Sequence, residues 1–142
     1  MRFITDYLRL NHKLVRKPYT LPIIVYEMQH MEVFQYVTVL DINMVYYNIS
    51  LSLASHDMTT IVTENFKLDY NCLPMSMCAS GDIFRAKLYK LIGDIEGVKT
   101  YIDDILVFSK DSFSKHIEEL RIIVGRFCAA GLKVNDPKCS FG

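Results

Sequence analysis

The sequence has no excess of charge of either sign, no long apolar run and no repeated segment. Lysine plus arginine and aspartate plus glutamate each number 16 among 142 residues, so the formal net charge is zero. A chain without net charge has no overall field that would draw it to nucleic acid or to an acidic membrane. No apolar run approaches the roughly 18 residues of a membrane span, and no signal-peptide pattern opens the chain. The length fits one domain, and a hydrophobic content of 51% is ample for a core.

A C-x-x-C cysteine pair is absent as well. The four cysteines are Cys72, Cys78, Cys128 and Cys139. A chain of this length and apolar content does not need disulfides, so we expect reduced and mostly buried thiols in an intracellular protein. A zinc site that combines cysteines with some of the four histidines is the alternative.

Two adjacent aspartates, Asp103 and Asp104, lie between apolar runs at 98–102 and 105–108. This pattern predicts a β-hairpin whose tight turn carries the acids. Two like charges held so close repel each other, and a divalent cation relieves the repulsion most simply. A solvated turn is the alternative, because aspartate side chains bond nearby backbone N–H groups in turns.

A third candidate acid, Asp41, follows a β-branched and apolar segment at 36–40. That segment predicts a buried strand with Asp41 at its end, where a sheet would fix the direction of the carboxylate. Asp41 could instead cap a helical turn at 44–49, since aspartate is a preferred N-cap residue.

The remaining patterns predict the order of the other elements. We expect a strand near 3–5, a short helix at 23–34, a second hairpin at 58–72, a helix at 80–91 that ends at Gly93, a long helix from 111 or 112 to Gly131, and a strand at 132–134. The apolar face of the long helix would hold Phe113, Ile117, Leu120, Val124 and Phe127.

Helices that alternate with antiparallel hairpins imply an α+β domain with the helices on one face of the sheet. In such a domain a strand-end acid and a hairpin acid can lie on neighbouring strands. A site for two Mg²⁺ ions, which clamp the attacking and leaving oxygens of a phosphoryl transfer, needs that arrangement.

Residues 2–17 hold local charge that the totals conceal. They carry one acid, Asp6, against five basic residues, and Tyr7 and Tyr19 lie within or beside them. A basic stretch with aromatics can bind a phosphate backbone or a triphosphate, and a solvated loop fits equally well. The basic residues are Arg2, Arg9, Lys13, Arg16 and Lys17.

Short motifs follow one another along the whole chain. They read RFITDY (2–7), KPYTLP (17–22), LDINMVYY (40–47), LPM (73–75), DIF (82–84), YIDDILV (101–107) and AGLKVN (130–135). In this order and spacing they closely resemble the reverse transcriptase domain of gypsy-type long-terminal-repeat retrotransposons, from Arg2 to Gly142.

The resemblance implies a fold as well. The whole chain, 1–142, would be a reverse transcriptase domain fragment with a polymerase palm, in which helices back an antiparallel sheet, plus a fingers subdomain. The fingers would take about 1–16 and 50–79, and the palm about 17–49 and 80–142. We expect a piece of a larger polyprotein, with thumb, RNase H and integrase segments elsewhere.

The function that the resemblance implies is RNA-directed DNA polymerase activity. Asp41, Asp103 and Asp104 would be the catalytic acids and the ligands of two Mg²⁺ ions, with Mn²⁺ as a substitute. A primer 3′-hydroxyl would attack the α-phosphate of a deoxynucleoside triphosphate on an RNA or DNA template. The protein would work away from membranes, in a cytoplasmic retroelement particle with access to the nucleus.

Substrate contacts are implied by the same resemblance. Tyr46 would lie against the sugar and exclude a 2′-hydroxyl, Arg2 would contact the triphosphate, and Ile102 would lie near the primer end. Backbone groups from Ile42 onward would face the phosphates. The loop with Met75 and Ser76 would lie beside the nucleotide and the template base.

The sequence departs from the family pattern at several supporting positions. Val45 and Ser76 replace glycines, Asn48 replaces a common His or Gln, and Gly81 replaces a proline. Because glycine usually serves turns that need positive φ, we expect Val45 and Ser76 to crowd the nucleotide site. Two alternatives to an active polymerase therefore stay open: an inactive remnant that keeps the metal acids, and a non-catalytic nucleic-acid-binding module that uses residues 2–17.

Overall fold

The computed structural model describes residues 4–19, 33–101 and 104–142. The chain divides into two compact units. Unit 1 comprises Met1–Pro18 and Met44–Phe84, and unit 2 comprises Tyr19–Asn43 and Arg85–Gly142. Among the helices described, none has the length and apolar character to cross a membrane. The helix predicted at 23–34 lies almost wholly outside the described residues.

Four helices and seven strands follow one another along the described parts of the chain. They are α1 (Leu8–Asn11), β1 (Tyr36–Asn43), α2 (Leu53–His56), β2 (Ile61–Val62), β3 (Lys67–Leu68), α3 (Ser80–Ile92), β4 (Val98–Tyr101), β5 (Asp104–Ser109), α4 (Phe113–Ala129), β6 (Lys133–Val134) and β7 (Ser140–Phe141). Single 3₁₀ turns occupy Val45–Asn48, Asp57–Thr59 and Asp136–Lys138.

The sheet of unit 2 is built around β1. Its strand order is β4-β5-β1-β6, and β7 also pairs with β1. Every one of these pairings is antiparallel. The first half of β1 meets β7 at Thr38 and Val39, and its end meets β6 at Ile42 and Asn43. This architecture confirms the predicted α+β class with an antiparallel sheet.

The core of unit 2 lies between one face of this sheet and helix α4, which packs on β5 and β6. Leu40, Ile105 and Val107 on the strands and Ile123 and Phe127 on α4 are at most 2% exposed. Burying each such side chain contributes roughly 1.5–3 kcal/mol. These side chains occupy one face of the sheet, so the opposite face remains for other contacts.

Helix α4 begins where the sequence predicts, because the Ser112 side chain caps it by accepting from the Lys115 N–H at 3.3 Å. The predicted apolar face is wrong in part. Phe113 is 57% exposed, and Ile117 and Val124 are also exposed. The stripe that is buried instead is rotated around the helix and consists of His116, Leu120, Ile123 and Phe127.

Helix α3 confirms the prediction at 80–91. Phe84, Leu88 and Ile92 recur at four-residue spacing and are at most 3% exposed. The N–H of Gly93 donates to the Tyr89 carbonyl at 2.8 Å just past the last helical residue. The helix therefore ends at the predicted glycine.

Unit 1 departs more from expectation. No strand occupies residues 4–7, and a short helix, α1, begins at Leu8. The second hairpin exists as β2 and β3 but is only two residue pairs long. Its Phe66 and Leu68 are 54% and 52% exposed, so the alternating apolar residues of this hairpin do not form a buried face there.

Tyr7 is a core residue of unit 1. Its hydroxyl donates to the Thr59 carbonyl at 2.8 Å, and its ring lies edge-on to Tyr70 with centroids 6.2 Å apart. Burial raises the pKa of Tyr7 to about 12. The charge of Tyr70 raises this pKa further by a smaller amount, whereas the hydrogen bond with Thr5 lowers it. Tyr7 is therefore unavailable for stacking on a nucleic acid.

The four cysteines are free, as expected. The prediction that they are mostly buried is wrong. Cys128 is exposed, and the other three are half-buried. Their thiols serve neither as disulfide partners nor as the main filling of a core.

Candidate active site

Asp41 of β1 and Asp104 of β5 are direct cross-strand partners in the central sheet. Directly opposed residues of an antiparallel pair share a face, with Cβ atoms about 4.5–5.5 Å apart. Two carboxylates at that separation repel each other. A cation bound between them would turn this repulsion into attraction.

The strands place both acids differently from the sequence-based expectation. Strand β1 continues to Asn43, so Asp41 lies within the strand instead of at its end. The alternative helix-cap role is wrong, because Met44 precedes the 3₁₀ turn and no side chain caps it. Asp104 is the first residue of β5 and not part of the turn.

The acidic hairpin itself is confirmed. Strands β4 and β5 are antiparallel, and Tyr101 pairs with Asp104. The two residues between them in the sequence, Ile102 and Asp103, lie outside the described residues, as does Arg2.

The two acids lie on the face of the sheet opposite the core. Side chains alternate along a strand, and Leu40, Ile42 and Ile105 next to the acids are at most 4% exposed. Ile42, a predicted substrate contact, points its side chain into the core. Its predicted contribution, made through backbone groups, does not depend on that side chain.

Asn135 is a further residue of this site that the sequence reasoning missed. Its Nδ2 donates to Asp41 Oδ1 at 2.9 Å, and its backbone N–H donates to the Asp41 carbonyl at 2.8 Å. Asn135 follows β6, whose Val134 pairs with Ile42, so the register places it beside Asp41. In the sequence, Asn135 is recognised only as part of the motif at 130–135. Its position beside Asp41 depends on the pairing of β6 with β1, which are distant in the sequence.

Lys138 adds a positive charge to the same carboxylate. Its Nζ lies 3.7 Å from Asp41 Oδ2. The Lys138 side chain is 58% exposed, whereas that of Asp41 is only 19% exposed. Because the ammonium is largely solvated, this ion pair contributes little to stability. Its field nevertheless opposes any cation that approaches Asp41.

The donor chemistry of the pair suits a hard divalent ion. Mg²⁺ prefers carboxylate oxygens, takes only one or two from the protein and completes its shell with water and phosphate. Within the described ranges no group of three or more His, Cys, Asp or Glu side chains could hold a metal. Asp41 and Asp104 are thus two paired carboxylates that could bind such an ion, and the third predicted acid, Asp103, lies outside the described residues.

Three predicted substrate contacts lie in unit 1. Tyr46 lies in the 3₁₀ turn Val45–Asn48, with its ring edge-on to Phe84 at a centroid distance of 5.9 Å. Met75 and Ser76 are half-buried. The Ser76 hydroxyl donates to the Thr5 carbonyl, and the Ser76 carbonyl accepts from Asn11 Nδ2 at 3.0 Å. Ser76 therefore holds its loop against the N-terminal segment.

Val45, at a position where the family pattern has glycine, does not have a positive φ. The left-handed residue is Met44, with φ 49° and ψ 43°. Val45 is 4% exposed and belongs to the core of unit 1. The backbone strain that a non-glycine residue carries in this region therefore falls on Met44.

The basic stretch is partly neutralised. Arg16 forms a bidentate pair with Asp82, with Nε–Oδ2 at 2.5 Å and Nη2–Oδ1 at 3.2 Å. The hydrogen bond and charge of Asp82 raise the pKa of Arg16. Arg9, Lys13 and Lys17 are exposed. Within the described part of the stretch 2–17, these three basic residues remain candidates for phosphate contacts.

The chain matches a protein-family model over residues 1–142, and the description of that family is reverse transcriptase (RNA-dependent DNA polymerase). It is 28% identical over 142 residues to the retrovirus-related Pol polyprotein from transposon opus of Drosophila melanogaster. Identity is 23% to the corresponding polyprotein from transposon gypsy of the same organism. Each match covers 99% of this chain but only 14% of the relative.

Solved structures share the fold. A foamy viral protease-reverse transcriptase in complex with double-stranded DNA superposes with a TM-score of 0.89 at 21% identity, over 99% of this chain and 25% of that one. The same viral protein in complex with an RNA/DNA hybrid gives a TM-score of 0.86 at 20% identity, over 96% and 18%. The α+β fold of these viral proteins is therefore the fold of this chain.

Proposed function

Because this chain belongs to the reverse transcriptase family, we propose that it carries out RNA-directed DNA synthesis as a segment of a retroelement polyprotein. The observation that carries the proposal is the pairing of Asp41 with Asp104 on the face of the sheet away from the core. The reaction is nucleotidyl transfer to a primer 3′-hydroxyl. Its substrates are a primed template and deoxynucleoside triphosphates.

In this proposal Asp41, Asp103 and Asp104 hold two Mg²⁺ ions, for which Mn²⁺ can substitute. When bound, the ions supply the positive charge that activates the primer hydroxyl and neutralises the pyrophosphate. The protein residues mainly orient and balance charge. Asn135 holds Asp41 Oδ1 in place, and Lys138 limits the net negative charge of the cluster.

Nucleotide contacts are assigned by family resemblance. They are Arg2, Ile42, Tyr46, Met75, Ser76 and Ile102. We assign the fingers to about 1–16 and 50–79 and the palm to about 17–49 and 80–142. The duplexes bound in the two viral structures support a template-primer as the partner of this chain. We place the parent polyprotein in a cytoplasmic particle with access to the nucleus.

The chain spans about a seventh of its Drosophila relatives, so polymerisation is best tested in a longer context. In a chimera, residues 1–142 replace the matching segment of the transposon gypsy polyprotein, and primer extension on RNA is measured. We expect Mg²⁺-dependent extension that Asp41→Asn lowers about a hundredfold or more. Asp111→Asn is the matched control, because Asp111 is an exposed acid paired with Lys115 outside the site.

A chimera that folds but does not extend the primer would contradict the proposal and favour the inactive remnant. A second measurement uses the chain itself, titrated with Mn²⁺ and followed by electron paramagnetic resonance. Binding that disappears in Asp41→Asn, in a chain that does not extend primers, would identify a remnant that keeps its metal acids.

The non-catalytic binding module has less support from the described residues. Tyr7 is buried, and Arg16 is paired with Asp82. Duplex binding that survives the change of Arg9, Lys13 and Lys17 to alanine would exclude a role for this stretch. A loss that steepens with salt would support one.

A further inference from the structure

A buried polar cluster lies on the core face of the same strands that carry the acids. Thr38 of β1, Ser109 of β5 and His116 of α4 are 1%, 4% and 1% exposed. The imidazole bridges the two strands, with Nε2 at 2.8 Å from Thr38 Oγ1 and Nδ1 at 2.8 Å from Ser109 Oγ. The Ser109 hydroxyl also donates to Glu119.

The hydrogens of this cluster can be assigned by counting donors and acceptors. Ser109 Oγ has one proton, which goes to the Glu119 carboxylate, so Oγ must accept from His116 Nδ1–H. In the neutral imidazole, Nε2 then accepts the Thr38 hydroxyl proton. Each polar atom of the bridge is satisfied, and loss of one partner leaves a buried group without its hydrogen bond.

A nucleophilic role for Ser109 does not fit this cluster. In a serine-histidine-acid arrangement the acid orients the histidine, whereas here Glu119 accepts from the serine itself. Ser109 and His116 are also too buried to meet a substrate. The bridge is therefore more consistent with a positioning role.

Local chain connectivity does not set the register of β1 against β5. About sixty residues separate the two strands, so no tight turn sets their alignment. Both segments are apolar on both faces, with Val37, Val39, Leu106 and Phe108 half-buried opposite the core. At these positions a slip by one residue would exchange apolar side chains for apolar side chains, so hydrophobicity alone discriminates weakly between registers.

The histidine bridge discriminates between registers. Thr38 pairs with Val107, and Ser109 pairs with Tyr36, so the two hydroxyls are diagonal neighbours on one face. A slip by one residue would turn one hydroxyl to the other face. A slip by two residues would either place the two hydroxyls directly opposite each other, with Cβ atoms about 4.5–5.5 Å apart, or move them apart by about a further 6.8 Å along the strand. Neither spacing matches an imidazole that bridges the diagonal pair with one hydrogen bond at each nitrogen. Only the observed register satisfies both bonds, and it is the register that pairs Asp41 with Asp104.

We propose that His116 is a positioning residue, which bridges Thr38 and Ser109 and thereby holds Asp41 opposite Asp104. The consequence for metal binding rests on the proposed function, whereas the consequence for strand register does not. The bridge acts from the core face of the sheet, and the acids it aligns lie on the other face.

The test compares Thr38→Val, which keeps the shape of the side chain but removes the hydroxyl, with Thr38→Ser, which keeps the hydroxyl. His116→Ala is the third variant, and Ile123→Ala, a cavity in the same buried stripe of α4, is the matched control. Two readouts are taken on the chain: cross-strand nuclear Overhauser contacts between β1 and β5, and Mn²⁺ affinity by electron paramagnetic resonance.

We expect Thr38→Val and His116→Ala to weaken the Asp41–Asp104 contacts and to lower Mn²⁺ affinity about tenfold. Thr38→Ser should keep the strand contacts and the Mn²⁺ affinity of the wild type. Ile123→Ala should lower stability without changing the strand contacts or the Mn²⁺ affinity. If His116→Ala does not fold, the two Thr38 variants decide. Unchanged strand contacts in Thr38→Val would overturn the proposal. Strand contacts that respond as expected in a chain that binds no Mn²⁺ would refute the metal site alone.

Discussion

Asn135 holds Asp41 by two hydrogen bonds, one from its side-chain amide to Oδ1 at 2.9 Å and one from its backbone N–H to the Asp41 carbonyl at 2.8 Å. The first bond fixes the direction of the carboxylate, and the second fixes the strand that carries it. A carboxylate already oriented loses less freedom when it binds a cation. Asn135 thus supports Asp41 without being one of the acids.

Asn135→Ala should lower Mn²⁺ affinity about tenfold, because partners that orient a metal ligand contribute tenfold to a hundredfold to affinity. The measurement is an electron paramagnetic resonance titration of the chain. Asn65→Ala, at an exposed turn position of unit 1, should leave the affinity unchanged. Equal affinities in the wild type and Asn135→Ala would show that Asp41 does not need this hydrogen bond to bind the metal.

Lys138→Gln should raise Mn²⁺ affinity by roughly twofold to fivefold, because it removes a positive charge 3.7 Å from Asp41 Oδ2. The gain should shrink at high salt, since the lysine is mostly exposed and screened. Calorimetric titration at low and high ionic strength measures both effects. A lower affinity in Lys138→Gln would mean that the lysine helps to organise the site instead of opposing the cation.

Met44 carries the one positive φ among the described non-glycine residues. Met44→Asn should stabilise the chain by up to about 1 kcal/mol, because asparagine tolerates the left-handed region. Met44→Ile should destabilise it, since a β-branched residue is most strained there. Urea unfolding measures the free energy of unfolding. The order Asn, Met, Ile from most to least stable is expected, and the reverse order would contradict the strain argument.

Tyr7 should make stability fall at high pH. Its pKa is raised to about 12 from an ordinary value of 10.0, so the folded state holds the proton more tightly than the unfolded state. The associated stability is fully present below pH 10 and is lost as the pH rises from 10 to 12. Urea unfolding at several pH values should show this loss in the wild type.

Tyr7→Phe should weaken the decline above pH 10 and should cost about 1–2 kcal/mol at neutral pH, because the buried Thr59 carbonyl loses its donor. Tyr89→Phe, at a 57% exposed ring, is the matched control. A decline of the same steepness in both variants would assign the effect to other groups.

The elements that the sequence predicted correctly are those set by neighbouring residues. The hairpin of β4 and β5, the start of α4 at Ser112 and the end of α3 at Gly93 follow from turn residues, caps and local periodicity. The face of α4 was mispredicted because His116 is buried by partners on two strands, which hydropathy does not show. Asn135 was missed for a related reason, since only the pairing of β6 with β1 brings it to Asp41.

The sequence by itself determined the α+β class, the positions of the main helices and the presence of acids suited to a divalent cation. Those properties depend on short-range patterns and on side-chain chemistry. Only the tertiary structure decided which residues face Asp41, because β1, β5 and β6 come from distant parts of the chain. A shift of one residue between β1 and β5 would turn one of the two acids to the opposite face. The contacts of His116 with Thr38 and Ser109, which oppose such a shift, form only when the sheet and α4 pack together.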